Sequence, residues 1–191
     1  DLARNAAPRN VAADIGRLFG EAIAKKQDQD LIALFDGFST AVGDGTTAIN
    51  AAAIFNALST LRGNALNINE CAVVLHPKIA YDLKANLTNT FANANANDLA
   101  NEALRSGFVG SLAGMRIFET SNMSNTGTTG DYKGGAFHRD AIALAEMQGL
   151  KIETQRDASL RADEIVATAV YGVGEIHDTY GVELHHDSSI Q

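Results

Sequence analysis

The chain has 191 residues, 46% of them hydrophobic and 20% charged, which is enough for a buried core and unlike a disordered or membrane-spanning composition. Its net charge of −8, with Lys and Arg scattered, disfavours direct nucleic-acid binding, because a phosphate backbone calls for a cationic footprint. No apolar run approaches the ~20 residues that span a bilayer, and the single cysteine, Cys71, excludes an intramolecular disulfide. The opening Asp1-Leu2-Ala3-Arg4 lacks an initiator Met and any leader pattern, so the start reads as internal.

Val11, Ile15, Leu18, Phe19, Ala22 and Ile23 recur with the spacing of one helix face, with Glu21 and Lys25 expected to pair on the wet side. After the polar Lys25-Lys26-Gln27-Asp28 patch, a second apolar cluster (Leu31, Ile32, Leu34, Phe35) runs into Asp36-Gly37, a helix stop. Val42 to Thr47 contains Gly43-Asp44-Gly45 and reads as a flexible joint. A second helix is expected from about Asn50 to Arg62, with Ile54, Phe55, Leu58 and Leu61 on one face and Gly63 at C′. Cys71 to Leu75 is a short apolar run suited to a buried strand. His76-Pro77 breaks it, and Pro77 suits the first turn of a helix carrying Ile79, Ala80 and Leu83 inward.

Phe91 to Asn97 alternates Ala and Asn and reads as a solvated loop, followed by a short helix from Asp98 to Arg105 that Gly107 ends. Met115 and Ile117 alternate with Arg116 and Phe118 as in a strand. Ser121 to Gly135 is rich in Ser, Asn, Thr and Gly, which predicts an exposed loop. Strands follow at Ile142 to Met147, at Leu150 to Gln155 with Leu150, Ile152 and Thr154 on a half-buried face, at Ile165 to Tyr171 and at Val182 to Leu184, with a turn over Arg156 to Arg161. Helices first and strands last define an α+β class.

Chemistry is harder to find. His138-Arg139-Asp140 copies a kinase catalytic-loop tripeptide, but the chain has no Gly-rich phosphate loop, no DFG and no suitably placed Lys, so a polar turn is the better reading. Gly43-Asp44-Gly45 and Gly172-Val173-Gly174 lack the third glycine and the strand-to-helix setting of a phosphate cradle, and read as hinges or bulges. His177-Asp178 and His185-His186-Asp187 gather three of the five histidines, but strand neighbours point to opposite faces, which favours a surface over a metal site. The sequons at Asn86 and Asn122 receive no role. No catalytic, cofactor-binding or metal residue is assigned, no cofactor is expected, and the chain reads as no enzyme.

One resemblance runs through the second half. Val109 to Asn122, then Gly135-Ala136-Phe137-His138-Arg139-Asp140-Ala141-Ile142, then Ile152 to Asp157, Asp163 to Gly172 and Tyr180-Gly181-Val182 follow one another as in tailed-phage major capsid proteins. Val74-Leu75-His76-Pro77 is similar to the strand-to-helix step of their central domain. The resemblance implies a Hong Kong 97-like capsid fold with residues 46–147 and 173–191 in an axial domain, and residues 1–45 and 148–172 forming part of a peripheral domain. The N-terminal arm and extended hairpin of that family are not recognisable, so the chain alone is expected to be a monomer.

The resemblance further implies a shell subunit of the virion that self-assembles around phage DNA. Its partners would be copies of itself in pentamers and hexamers, with scaffold or portal proteins besides, and neither membrane nor sequence-specific nucleic acid. Some members lock their shells through a Lys–Asn isopeptide bond in the peripheral strands. No Asn lies between Leu150 and Gly172, although Glu164 is present, so no crosslink is expected there. Ser121 to Gly135 is the expected contact-ordering loop. Two other readings stand beside this one: an encapsulin-like compartment shell, and a small soluble α+β enzyme using the tail histidines.

Overall fold

A computed structural model describes residues 11–91, 110–125, 130–157, 159 and 162–190. The helix and loop expected over residues 92–105 lie outside the described residues. The chain divides into two compact units, residues 31–143 with 174–191, and residues 1–30 with 144–173. Residues 31–45, grouped at the sequence level with the first helix, pack with the larger unit because Phe35 and Phe38 are buried in its core.

The larger unit is built on a six-stranded mixed sheet of order β1-β8-β5-β2-β4-β3. Its strands are β1 (Ala41–Val42), β2 (Cys71–Leu75), β3 (Ser111–Leu112), β4 (Met115–Glu119), β5 (Asp131–His138) and β8 (Gly181–Asp187). β2 runs parallel to β4 and antiparallel to β5, which pairs antiparallel with β8. Register places Val73 opposite Ala136, and Ala136 opposite Val182, on one face, where all three are fully buried. Helices α2 (Ala51–Gly63) and α3 (Pro77–Phe91) supply the matching apolar layer through Ile54, Leu58, Leu61, Ile79, Ala80 and Leu83. The opposite face receives Phe35, from a 3-10 turn at Leu34–Gly37, and Phe38. Phe35 packs 5.0 Å from Phe137, ring centroid to centroid.

Local chemistry explains the helix ends. Asn50 caps α2, its side chain accepting from the Ala53 amide at 2.9 Å, which satisfies one orphan donor of the first turn. The left-handed C′ position falls at Ala65, two residues beyond the expected Gly63. The Leu66 amide reaches Leu61 O at 3.3 Å and Ala65 N reaches Arg62 O at 2.9 Å, so Ala65, with φ 60°, takes the left-handed position that glycine usually fills. Phe55 does not join the core face and is exposed, because the buried residues Ile54, Leu58 and Leu61 follow a three- and four-residue spacing that it breaks. Pro77 opens α3, where its missing N–H costs nothing, and the Ala80 amide donates to His76 O at 2.9 Å.

The expected exposed loop over Ser121 to Gly135 is much shorter in the structure. From Asp131 the chain enters β5, the strand between β2 and β8, and Gly134 and Gly135 are buried inside it. Their role is close approach: a Cβ at Gly135 would stand 2.8 Å from the Phe35 ring, and one at Gly134 would stand 2.5 Å from Val74 O.

The smaller unit comprises most of α1 (Val11–Ala33) and most of a two-stranded ribbon, β6 (Ile142–Asp157) with β7 (Ala162–Glu175). α1 continues through the polar Lys25 to Asp28 patch and ends at Ala33, short of the expected stop at Asp36-Gly37. Arg17 and Glu21 pair at 3.5 Å and Lys26 and Asp30 at 2.5 Å, so Glu21 looks back a turn instead of forward to Lys25. The Tyr171 hydroxyl donates to Asp30 at 2.7 Å, joining β7 to the helix. These bonds from Lys26 and Tyr171 hold the Asp30 carboxyl below its usual range. β6 is one strand instead of two, and Gly172 to Gly174 lie within β7 instead of forming a hinge. Leu150 and Ile152 are exposed, not half-buried, because every residue of β6 from 144 to 156 faces solvent.

Candidate functional site

The sequence motifs with chemical overtones occupy structural positions. His138 ends β5, buried, with its Nε2 3.7 Å from Glu70 and its ring edge-on to Tyr180. Arg139 and Asp140 form the turn that follows, Arg139 Nε lying 3.0 Å from Glu70 Oε2. The tripeptide therefore closes a strand, as a polar turn would. Cys71 is buried, and burial pushes its thiol pKa up, which makes it a poor nucleophile.

Of the tail histidines, His177 is exposed as expected, but His185 and His186 are not surface residues. β8 lies between β1 and β5, so His186 is buried and His185 largely so. Alternation separates them: His186 shares the face of Val182 and Leu184, opposite Tyr132, while His185 Nε2 meets Asp131 Oδ1 at 2.9 Å on the other face. His177 lies beyond β7 and its ring sits 4.7 Å from Tyr180. Among the described residues no three His, Cys, Asp or Glu side chains converge to hold a metal ion.

Gly43 to Thr47 is no free joint. It runs on from β1 alongside β8, with the Gly45 amide donating to His185 O at 3.0 Å and the Asp187 amide to Thr47 O at 3.1 Å. The φ values of Gly43 (92°) and Gly45 (73°) lie in the region that favours glycine. Any side chain there would collide with His185, His186 or Asp131. Glycine richness was mistaken for flexibility here and in β5; in both places it marks tight contact.

Surface is where functional signal collects. On the ribbon, Leu144, Met147, Leu150, Ile152, Val166 and Val170 are each at least 43% exposed, Met147 reaching 88%. Isolated exposed apolar residues are ordinary, and six on one two-stranded ribbon depart from that pattern. In the larger unit Phe118 on β4 is also exposed. By contrast, the ion pairs tie the chain to itself: Lys133 of β5 contacts Asp36 and lies 3.1 Å from the buried Glu183 of β8. Lys84 of α3 lies 2.6 Å from Glu119 of β4.

The architecture has counterparts among solved structures. The chain superimposes on a Mycobacterium phage Che8 structure with a TM-score of 0.76 and 27% identity, covering 96% of this chain and 66% of that one. The capsid of cyanophage P-SCSP1u gives 0.74 at 19% identity, covering 99% and 70%. The SrpI encapsulin of Synechococcus elongatus PCC 7942 gives 0.66 at 15%, covering 97% and 69%. The protein thus has the Hong Kong 97-like capsid fold, as the order of its sequence segments implied. It spans about two thirds of the length of the solved chains it matches.

No curated protein matches the sequence. A family model for phage capsid protein matches residues 1–182, and the chain belongs to that family. It is a capsid protein, a structural component of the virion.

Proposed function

We propose that this chain is the body of a major capsid subunit whose copies, arranged in pentamers and hexamers, close into an icosahedral shell around phage DNA. The family match over residues 1–182 is the observation that carries this reading. Within it, the larger unit corresponds to the axial domain and the smaller unit to part of the peripheral one. A shell subunit works through modest contacts repeated by symmetry, so complementary edges do what a pocket does in an enzyme. The exposed ribbon suits that task. Burying one such aliphatic side chain is worth roughly 1.5–3 kcal/mol when it goes from full exposure to full burial. Neighbouring copies that cover these residues gain a fraction of that per side chain, summed over many repeated contacts.

Scaffold and portal proteins are the further partners this reading implies. The acidic balance of −8 suits an inner wall that holds packed DNA without adhering to it. The absence of Asn from Leu150 to Gly172 argues against an isopeptide crosslink through the ribbon.

The test is electron microscopy of purified particles formed by the protein, with their contents analysed. Closed shells carrying nuclease-protected DNA in the presence of the packaging machinery are expected. Shells that carry a cargo enzyme and no DNA would instead favour the compartment reading suggested by the encapsulin similarity. Absence of any particle would count against both.

A further inference from the structure

We propose that residues 39–48 and β8 form an acid-releasable strap, with His186 as the group whose protonation opens it. The strap is held to β8 by backbone bonds, Glu183 N to Thr40 O at 2.8 Å, Gly45 N to His185 O at 3.0 Å and Asp187 N to Thr47 O at 3.1 Å. His186 lies under it, 4% exposed, with Nδ1 3.3 Å from Thr47 O and the Gly43 backbone against its ring. That contact makes Nδ1 the protonated nitrogen of the neutral ring, donating to Thr47 O. The second proton must then go to Nε2. This atom is buried and has no hydrogen-bond partner among the described residues. A charge placed there is desolvated and unpaired, and opening the strap relieves it.

His185 makes the contrast within the same strand. Its Nε2 lies 2.9 Å from Asp131 Oδ1, a carboxylate oxygen at a distance that nothing among the described residues offers to His186 Nε2. The ionisable groups around His186 do not supply the same. The strap contributes Asp44, whose Oδ1 accepts from the Thr46 amide and hydroxyl at 3.1 and 2.6 Å and whose charge favours a protonated His186 less than burial opposes it. β5 contributes Tyr132 directly opposite, with Asp131 and Lys133 on the other face. β8 itself adds Glu183, His185 and Asp187, all alternating to that other face. From α3, Asp82 accepts from the Ser189 amide at 2.8 Å, and Lys78 lies in the first turn after His76, whose ring stacks on Tyr132 at 3.7 Å. α2 has only Arg62, in its last turn.

Burial pulls the His186 pKa below its usual value, outweighing the Thr47 contact, and nearby His185 adds to the fall. An open strap returns the ring to its ordinary value, about 6.5. The open form therefore binds more protons below that pH, so closure is complete above it and weakens as pH falls.

Hydrogen exchange of the chain, read by mass spectrometry over residues 39–48 and 181–188 and corrected for intrinsic rates, tests this. Protection of the strap is expected to fall up to about tenfold per pH unit below 6.5 and to stay level above it. His186→Asn, which keeps a donor near the Nδ1 position but cannot titrate, should abolish the slope, while His76→Asn should leave it in place. A slope that survives His186→Asn, or that disappears with His76→Asn, overturns the proposal. Should His186→Asn fail to fold, NMR titration of the wild-type ring decides instead: titration near 6.5 with the strap still protected would refute it.

Discussion

The two units use hydrophobic residues in opposite ways. In the larger one, Ile54, Leu61, Val73, Met115, Ala136 and Val182 are essentially inaccessible, and buried polar residues such as Asp82 and Glu183 have partners. In the smaller one, no described side chain is fully buried, and apolar residues stand along the ribbon in contact with solvent. The first pattern is that of a core that specifies one fold. The second is that of apolar residues left uncovered within the chain, the pattern the proposed assembly role would use.

Mutations should separate the two. Leu61→Ala, in the core beneath the sheet, is expected to cost about 3 kcal/mol of unfolding free energy in chemical denaturation. A cost under ~1 kcal/mol would show that the packing around Leu61 is loose. Ala65→Gly works the other way: it relieves a left-handed residue at the end of α2 and is expected to stabilise by about 1 kcal/mol in the same measurement. On the ribbon, Met147→Ser should change the stability of the isolated chain by less than ~0.5 kcal/mol while lowering the yield of shells seen by electron microscopy. Equal shell yields for Met147→Ser and wild type would mean that this part of the ribbon stays uncovered.

The same contrast decides what could be read in advance. β2 and the start of α3 were legible because an unbroken apolar run followed by Pro77 has few alternative structures. α2 was legible because its spacing and its Asn50 cap agree. β5 was not, since its Asp131, Lys133, Gly134 and Gly135 carry loop-like chemistry. The glycines are there because Phe35 and the Val74 backbone leave no room for a Cβ, a constraint visible only with both partners in place. His185 and His186 were not legible as covered residues for the related reason that a short strand rich in polar residues gives no sign of being covered on both sides.

On the ribbon, the apolar alternation was visible but its partner was not. Sequence periodicity reports which residues prefer burial and is silent about whether the covering surface belongs to the same molecule. The capsid resemblance was carried by the order of segments from β3 and β4 through β5, β6, β7 and β8 and not by any chemical constellation. That is the form in which a protein working through distributed contacts can be recognised.

The sheet order has a consequence for synthesis. β8, residues 181–187, pairs with β1 at residues 41–42 and with β5 at 131–138, closing the middle of the sheet. Until Gly181 and its followers have left the ribosome, β1 has no neighbour to pair with and one edge of β5 stands open. A subunit of this design completes its main sheet only once β8 has been translated.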